Sequence, residues 1–226
     1  MFLSLITHHS SLIHLSWMTF EVPKLYPITD RLLSGLSHAE QVVRLSEGGA
    51  TLIQLREKHL SPREFYAEAE EALKAAGARG VRLIINDRAD IALALGAAGV
   101  HLGQNDMPPA AARALLGEEA IIGFSTHSVE QAIAALSLPV DYIAIGPVFN
   151  TSSKTNPDPV VGLEGVRAVR ELVGRLSLVA IGGITRENAR SVLNAGADSV
   201  ALISALLVHG DASEITRRTR AFLVAL

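Results

Sequence analysis

The chain has 226 residues, 49% of them hydrophobic, which suits one full α/β core and excludes a disordered chain. A formal net charge of −3 excludes broad electrostatic adhesion to nucleic acid or to an anionic membrane, so any anion must be met by a local site. With no cysteine there are no disulfides and no thiolate metal centres, in keeping with a cytoplasmic setting.

The first twenty residues, MFLSLITHHSSLIHLSWMTF, are apolar but broken by His8, His9, His14 and several serines, with no Lys or Arg before them. They match neither a signal peptide nor an unbroken membrane span. Residues 1–20 are expected to be an extension outside the fold, with Met18 as an alternative start. From Lys24 onward the sequence alternates. LYPIT (25–29) reads as strand one. Ser37 to Glu40 is a capping box that opens a helix closing at Gly48-Gly49. TLIQLREK (51–58) is strand two, and Ser61-Pro62-Arg63-Glu64 opens the next helix, to about Gly77.

VRLIIN (81–86), VHLG (100–103), AIIGFS (120–125), DYIAIG (141–146), LSLVAIG (176–182) and DSVALI (198–203) supply strands three to eight. Helices are expected over 89–96, from Pro108-Pro109, from the capping box Ser128–Gln131, over 163–174, over 186–195 and to the C-terminus. Eight strands each followed by a helix mean a parallel sheet, and the count favours a closed (β/α)8 TIM barrel in a single α/β domain, 21–226. Small residues on one strand face agree with a crowded interior: Gly123 and Ser125, Ala144 and Gly146, Ala180 and Gly182, and Ala201. Ile143, Ile145, Val179 and Ile181 are then expected to face the helices. The joints Gly49-Ala50, Gly99-Val100 and Gly196-Ala197 suggest a weak internal repeat.

Active sites of such barrels lie at the C-terminal ends of the strands. Those ends carry Gln54, Arg56 and Lys58; Asn86-Asp87; Gln104-Asn105-Asp106; Ser125-Thr126-His127; Asn150 to Lys154; Gly182-Gly183; and Ile203-Ser204. Each has a plainer reading. Asp87, Asp106, Ser128 and Thr185 stand where helix N-caps belong, Arg56 and Lys58 can be a solvated strand end, His127 can bond backbone, and Gly182-Gly183 can serve a tight turn. Their convergence on one rim favours a site. Two glycines after strand seven and Ile203-Ser204 after strand eight occupy the usual barrel phosphate position, where backbone N–H groups and a helix N-terminus meet the anion. Arg56, Lys58 and Lys154 with the carboxylates Asp87 and Asp106 suit instead a diphosphate bound with Mg2+. Two anion sites of different kinds imply two phosphorylated small-molecule reactants being joined.

QLREK (54–58), INDRADIAL (85–93), GVHLGQNDMP (99–108), GFSTHS (123–128), IGPVFNTSSK (145–154), AIGGIT (180–185) and AGADSVALISAL (195–206), in this order, resemble the thiamine phosphate synthase family. The resemblance implies a (β/α)8 barrel and a transferase that condenses 4-amino-2-methyl-5-(diphosphooxymethyl)pyrimidine with a thiazole phosphate, releasing diphosphate. It assigns Gln54, Leu55, Arg56, Glu57, Lys58, Asn86, Ser125 and Lys154 to the pyrimidine diphosphate, although regular alternation puts Glu57 on the opposite strand face. It assigns Thr151, Ser152, Ser153, Gly182, Gly183, Ile203 and Ser204 to the thiazole phosphate, and Asp87 and Asp106 to Mg2+. Arg56, Lys58, Lys154 and Ser125 are the implied catalytic group. The rivals are a thiazole tautomerase of the same superfamily and a non-catalytic binder. Asp106 and Lys154 weigh against the first, since a proton shift needs neither diphosphate nor metal. Homo-oligomerisation stays open.

Overall fold

The computed structural model of the protein describes residues 20–151 and 158–226. Residues 1–19, all but the last of the expected 1–20 extension, and three site candidates, Ser152, Ser153 and Lys154, lie outside the described residues. The elements run β1 (Leu25–Pro27), α1 (Arg31–Ser34), α2 (His38–Glu47), β2 (Leu52–Leu55), α3 (Pro62–Gly77), β3 (Arg82–Asn86), α4 (Ala89–Leu95), β4 (Gly99–Leu102) and α5 (Pro109–Leu116). They continue as β5 (Ile121–Thr126), α6 (Val129–Ala135), β6 (Tyr142–Ile145), α7 (Gly162–Val173), β7 (Ser177–Ile181), α8 (Ala189–Asn194), β8 (Ser199–Leu202) and α9 (Ala212–Ala225).

All eight strands pair in parallel in the order β1-β8-β7-β6-β5-β4-β3-β2. The ring closes where Ile28 bridges Gln54 and the Thr29 N–H donates to the Gln54 carbonyl at 2.9 Å. This is the expected (β/α)8 barrel. The helices start where short polar side chains can satisfy their free N–H groups. Ser37 and Ser61 form complete capping boxes with Glu40 and Glu64, each worth about 1 kcal/mol. Ser128 caps α6, but Gln131 reaches one residue further back and accepts the His127 N–H at 2.8 Å.

Two apolar layers result. Ile53, Leu55, Ile85, Val100, Ile122, Ile143, Ile145, Ala180 and Val200 pack outward against the helices. Tyr26, Ile28, Leu52, Ile84, Ile121, Tyr142, Ala144, Val179 and Ala201 fill the barrel. Strand β7 corrects the expectation by one residue: Val179 faces inward and Ala180 outward. Parallel partners share a face, and Val179 pairs with the inward Ala144 and with Ser199. Gly182 misled the alternation because the strand ends at Ile181 and Gly182 turns away with φ +99°. Inward Gly123 does make room as expected: a Cβ there would stand 2.0 Å from the Tyr142 ring.

At the N-terminal end of the barrel, Phe20 packs on the interior cluster, 6.0 Å from the Tyr142 ring centroid, with Arg82 over its face. Phe20 therefore belongs with the barrel rather than with the extension. The internal repeat also shifts register. Gly99 lies inside β4, and the joint matching Gly49-Ala50 and Gly196-Ala197 is Gly96-Ala97. In all three a positive-φ glycine precedes an alanine whose N–H returns to a carbonyl five residues back, at 3.1, 3.0 and 3.4 Å. A second repetition is electrostatic. Arg113 from α5 holds Asp141, which accepts the Ile122 N–H, and Arg170 from α7 holds Asp198, which accepts the Leu178 N–H. Both Asp residues immediately precede β6 and β8, away from the mouth, where such pairs serve stability.

Candidate active site

The C-terminal ends of β2, β3 and β4 bring the cationic and anionic candidates together. Arg56 leaves β2 with its Nη1 3.2 Å from Asp30 Oδ2, and its backbone N–H donates to Thr29 Oγ1 at 3.2 Å. Lys58 donates to Asp87. Asp87 has φ +63°, a conformation that costs a non-glycine residue about 1–3 kcal/mol and clusters at functional sites. Asp106 faces Asp87, and its Oδ2 accepts the Gly103 N–H at 2.7 Å. Burial pushes the Asp106 carboxyl up; the Gly103 N–H and Lys58 oppose that shift, and the neighbouring Asp87 carboxylate adds to it. Neither Asp87 nor Asp106 caps a helix, since α4 and α5 begin after Arg88 and Pro108 without a side-chain cap. Thr185 does not cap α8 either, whose N-cap is Asn188.

A carboxylate pair that close, partly dehydrated and facing one ammonium, is chemically short of a cation. No group of three or more His, Asp or Glu side chains suited to a metal occurs among the described residues. Two carboxylates are nevertheless the usual protein contribution to Mg2+ that takes its remaining ligands from water and phosphate oxygens. The donor set fits such an ion when a diphosphate completes it.

Two members of the QLREK stretch change position. Leu55 is fully buried between the barrel and the helices. Glu57 turns to His38, 3.4 Å away, and its side chain is only 5% exposed. Neither side chain faces the mouth, so the two stand apart from Gln54, Arg56 and Lys58 within the stretch. Asn86 is buried at the end of β3, and Gln54 is buried at the end of β2.

Inside the barrel lies a feature that strand ends alone do not reveal. Gln54 Nε2 donates to the Tyr26 hydroxyl at 3.2 Å, Tyr26 and Tyr142 share a 2.9 Å hydrogen bond, and His101 Nδ1 lies 2.9 Å from the Tyr142 hydroxyl. His101 Nε2 is 2.8 Å from Ser125 Oγ. This chain joins β2, β1, β6, β4 and β5 and orients two candidate substrate groups, Gln54 and Ser125, from below. Tyr26, His101 and Tyr142 were legible only as polar residues at inward positions of otherwise apolar strands. His127 fulfils its plainer reading, with Nδ1 2.9 Å from the Gly146 carbonyl, and also pairs with Asp158 at 3.6 Å.

His101 carries a pH prediction. Burial lowers its pKa from 6.5 to about 4, outweighing the raising effect of Asp106, so the folded ring stays neutral where the unfolded ring binds a proton. The stability tied to the neutral ring is complete above pH 6.5 and is lost as pH falls toward 4, by roughly 3 kcal/mol. His101→Gln is expected to flatten that stretch of the stability–pH curve in urea melts. An unaltered acid limb would refute the assignment.

The other candidate anion site forms where β6 and β7 end. The Val148 and Phe149 N–H groups donate to the Ile181 and Gly182 carbonyls at 2.9 and 3.0 Å, drawing Asn150 and the half-buried Thr151 beside Gly182-Gly183. Gly182 and Gly183 have φ of +99° and +63°, and a Cβ on Gly183 would lie 2.4 Å from the Asn150 carbonyl oxygen. Asn188 braces the turn, accepting the Thr185 N–H at 2.8 Å and donating to the Gly183 carbonyl at 3.1 Å. Helix α8 starts only at Ala189 and is short, so the expected helix N-terminus does not adjoin Gly183. The cradle is backbone. Ile203 and the exposed Ser204 follow β8 on the adjacent strand, where the 203–207 turn is closed by Leu206 and Leu207 N–H groups on the Ile203 carbonyl.

A closed parallel barrel with a carboxylate–cation cluster on one side of its C-terminal mouth and a glycine cradle on the other defines a (β/α)8 enzyme of phosphorylated small molecules. The model of the thiamine monophosphate synthase family matches residues 25–206, and the chain belongs to that family. The thiamine-phosphate synthase of Koribacter versatilis is 52% identical over 83% of this chain and 90% of that protein. That of Clostridium novyi is 48% identical over 83% and 92%. The solved thiamine phosphate pyrophosphorylase of Pyrococcus furiosus superposes with a TM-score of 0.78 at 38% identity, covering 89% of this chain and 94% of that one.

Proposed function

We propose that this protein is a Mg2+-dependent thiamine phosphate synthase that joins 4-amino-2-methyl-5-(diphosphooxymethyl)pyrimidine to a thiazole phosphate and releases diphosphate. The observation that carries the reading is the Asp87–Asp106 carboxylate pair beside Lys58, with Arg56 at the end of the same strand as Lys58, across the barrel mouth from the Gly182-Gly183 cradle. A proton-shifting tautomerase has no use for a cation-deficient carboxylate pair.

In this reading Arg56 and Lys58, with Lys154 assigned from its motif, hold the diphosphate, and Gln54, Asn86 and Ser125 hold the aminopyrimidine. Thr151, Gly182, Gly183, Ile203 and Ser204 hold the thiazole phosphate, joined by Ser152 and Ser153 from the motif. Mg2+ held by Asp87 and Asp106 would neutralise charge on the diphosphate. Arg56 and Lys58 exchange their carboxylate partners for diphosphate oxygens and so stabilise the charge that develops as the C–O bond breaks. The aminopyrimidine ring delocalises the resulting cation, and the thiazole nitrogen supplies the electron pair of the new C–N bond. Anchoring both phosphates brings carbon and nitrogen together without a covalent enzyme intermediate.

No described helix is long and apolar enough to cross a membrane, and the net charge of −3 offers nucleic acid nothing. Both agree with a cytoplasmic enzyme of small molecules. Purified protein given both precursors is expected to form thiamine phosphate and diphosphate with Mg2+ and to lose most of that activity in EDTA. Isomerisation of the thiazole without any joined product would favour the tautomerase.

A further inference from the structure

Glu57 sits in the middle of the cationic clamp yet points away from it. Its Oε1 accepts three consecutive backbone N–H groups, from Lys58, His59 and Leu60, at 2.8, 2.7 and 3.3 Å. Its Oε2 faces His38 Nε2 at 3.4 Å, too poorly aligned for a good hydrogen bond but close enough to act on that ring as a charge. His38, the first residue of α2, is fully buried against Phe65 and reaches Thr29 Oγ1 with Nδ1 at 2.8 Å. Thr29 Oγ1 accepts the Arg56 N–H at 3.2 Å and lies 3.3 Å from the Gln54 carbonyl.

The favoured tautomer follows from these partners. An Nε2–H facing the carboxylate is attractive, whereas a lone pair there is not, so Nδ1 accepts from the Thr29 hydroxyl. Burial alone would raise the Glu57 carboxyl, but the backbone N–H groups and His38 hold it below its usual value and keep it charged. The backbone on both sides of the clamp is thus tied to one buried pair: Arg56 through Thr29 and His38, and Lys58 through Glu57.

We propose that Glu57, seated on His38 and Thr29, is a positioning residue that fixes where Arg56 and Lys58 present their charges, and that it touches neither substrate. The proposal rests on the reading that Arg56 and Lys58 hold the diphosphate. Its consequence is selective: loosening the Glu57 seat weakens the pyrimidine diphosphate site while leaving the glycine cradle across the mouth intact. Glutamine at this position keeps an oxygen for the three N–H groups, and its amide N–H is accepted by His38 Nε2 once the ring takes the other tautomer, with Nδ1–H donating to Thr29 Oγ1 and the Thr29 hydroxyl donating to the Gln54 carbonyl. The charge itself is therefore dispensable in a way that a substrate or metal ligand would not be.

The test compares Glu57→Ala, Glu57→Gln, His38→Asn and Arg56→Ala by steady-state kinetics with both substrates, alongside thermal melts. Glu57→Ala is expected to raise KM for the pyrimidine diphosphate by about tenfold or more and to leave KM for the thiazole phosphate within about twofold. Glu57→Gln is expected to restore binding to within about threefold of the parent, and His38→Asn to show the alanine variant's selectivity in milder form, about threefold to fivefold. Glutamine behaving like alanine would overturn the proposal, because the carboxylate would then be a ligand. So would an equal rise in both KM values, which is general loosening, or no change in the alanine variant. If Glu57→Ala does not fold, a His38→Asn enzyme with unchanged or unselective KM values overturns it alone. Arg56→Ala separates the two readings: if it leaves KM for the pyrimidine diphosphate unchanged, the clamp assignment itself falls.

Discussion

Asp106→Ala is expected to slow single-turnover formation of thiamine phosphate by about two to three orders of magnitude, the scale of one preorganised electrostatic group. Binding of the thiazole phosphate should stay near parental strength. The reason is the asymmetry of the carboxylate pair. Asp87 already has Lys58 as a counter-ion, whereas burial pushes Asp106 toward its neutral form and the adjacent Asp87 adds to that push. Removing Asp106 therefore takes away the member of the pair that most needs a cation. Alanine also strips the Gly103 N–H of its 2.7 Å acceptor, a local loss of about 1–3 kcal/mol if that group stays dry. Asp106→Asn keeps an acceptor oxygen for Gly103 and discards only the charge, so it should match alanine in turnover and the parent in thermal midpoint. Calorimetric titration of Mg2+ with diphosphate present supplies the independent readout, with weakened uptake expected in both variants. Full Mg2+-dependent turnover in Asp106→Asn would remove the metal assignment.

The barrel was legible because local signals agreed with one another. Serine caps with glutamate three residues on, apolar runs of strand length and glycine closures all mark the same alternation, and the Ser37 and Ser61 caps and the eight strands appear where expected. Errors arose where one backbone dihedral broke a periodic pattern. Gly182 extends the apparent strand alternation in the sequence, but its φ of +99° takes it out of β7, which ends at Ile181 with the opposite residues facing inward. Gly99-Val100 resembles a joint in the sequence because it too is a glycine before an apolar residue, three positions after the true joint Gly96-Ala97. The site was legible wherever a polar residue stood past a strand end. The Gln54–Tyr26–Tyr142–His101–Ser125 chain was not, because its members meet from five strands and only the closed barrel makes them neighbours. Glu57 is the opposite case: the motif groups it with the ligands, whereas its carboxylate faces His38 and the Lys58, His59 and Leu60 N–H groups, a burial that the motif alone does not reveal.

Gly183→Ala should raise KM for the thiazole phosphate by about two orders of magnitude and change KM for the pyrimidine diphosphate little. Two separate demands meet at this position. Its φ of +63° costs an L-residue about 1–2 kcal/mol. The added methyl would also stand 2.4 Å from the Asn150 carbonyl oxygen and 2.9 Å from the Phe149 carbonyl carbon, atoms of the backbone run that carries Thr151. Something must move, and a backbone cannot rotate out of the way as a flexible side chain can. Either the 149–151 segment retreats from β7, or the Gly183 turn opens and its Asn188 brace is lost. Both outcomes spoil the proposed thiazole phosphate seat, whereas the Asp87–Asp106–Lys58 cluster lies across the mouth, at the ends of β2, β3 and β4. Gly162→Ala is the control, since Gly162 also has positive φ, +65°, but a Cβ there meets nothing within 4 Å. It should cost similar stability without the change in KM. If Gly183→Ala behaves like that control, the paired glycines serve only the turn, and the thiazole phosphate must be held elsewhere on the rim.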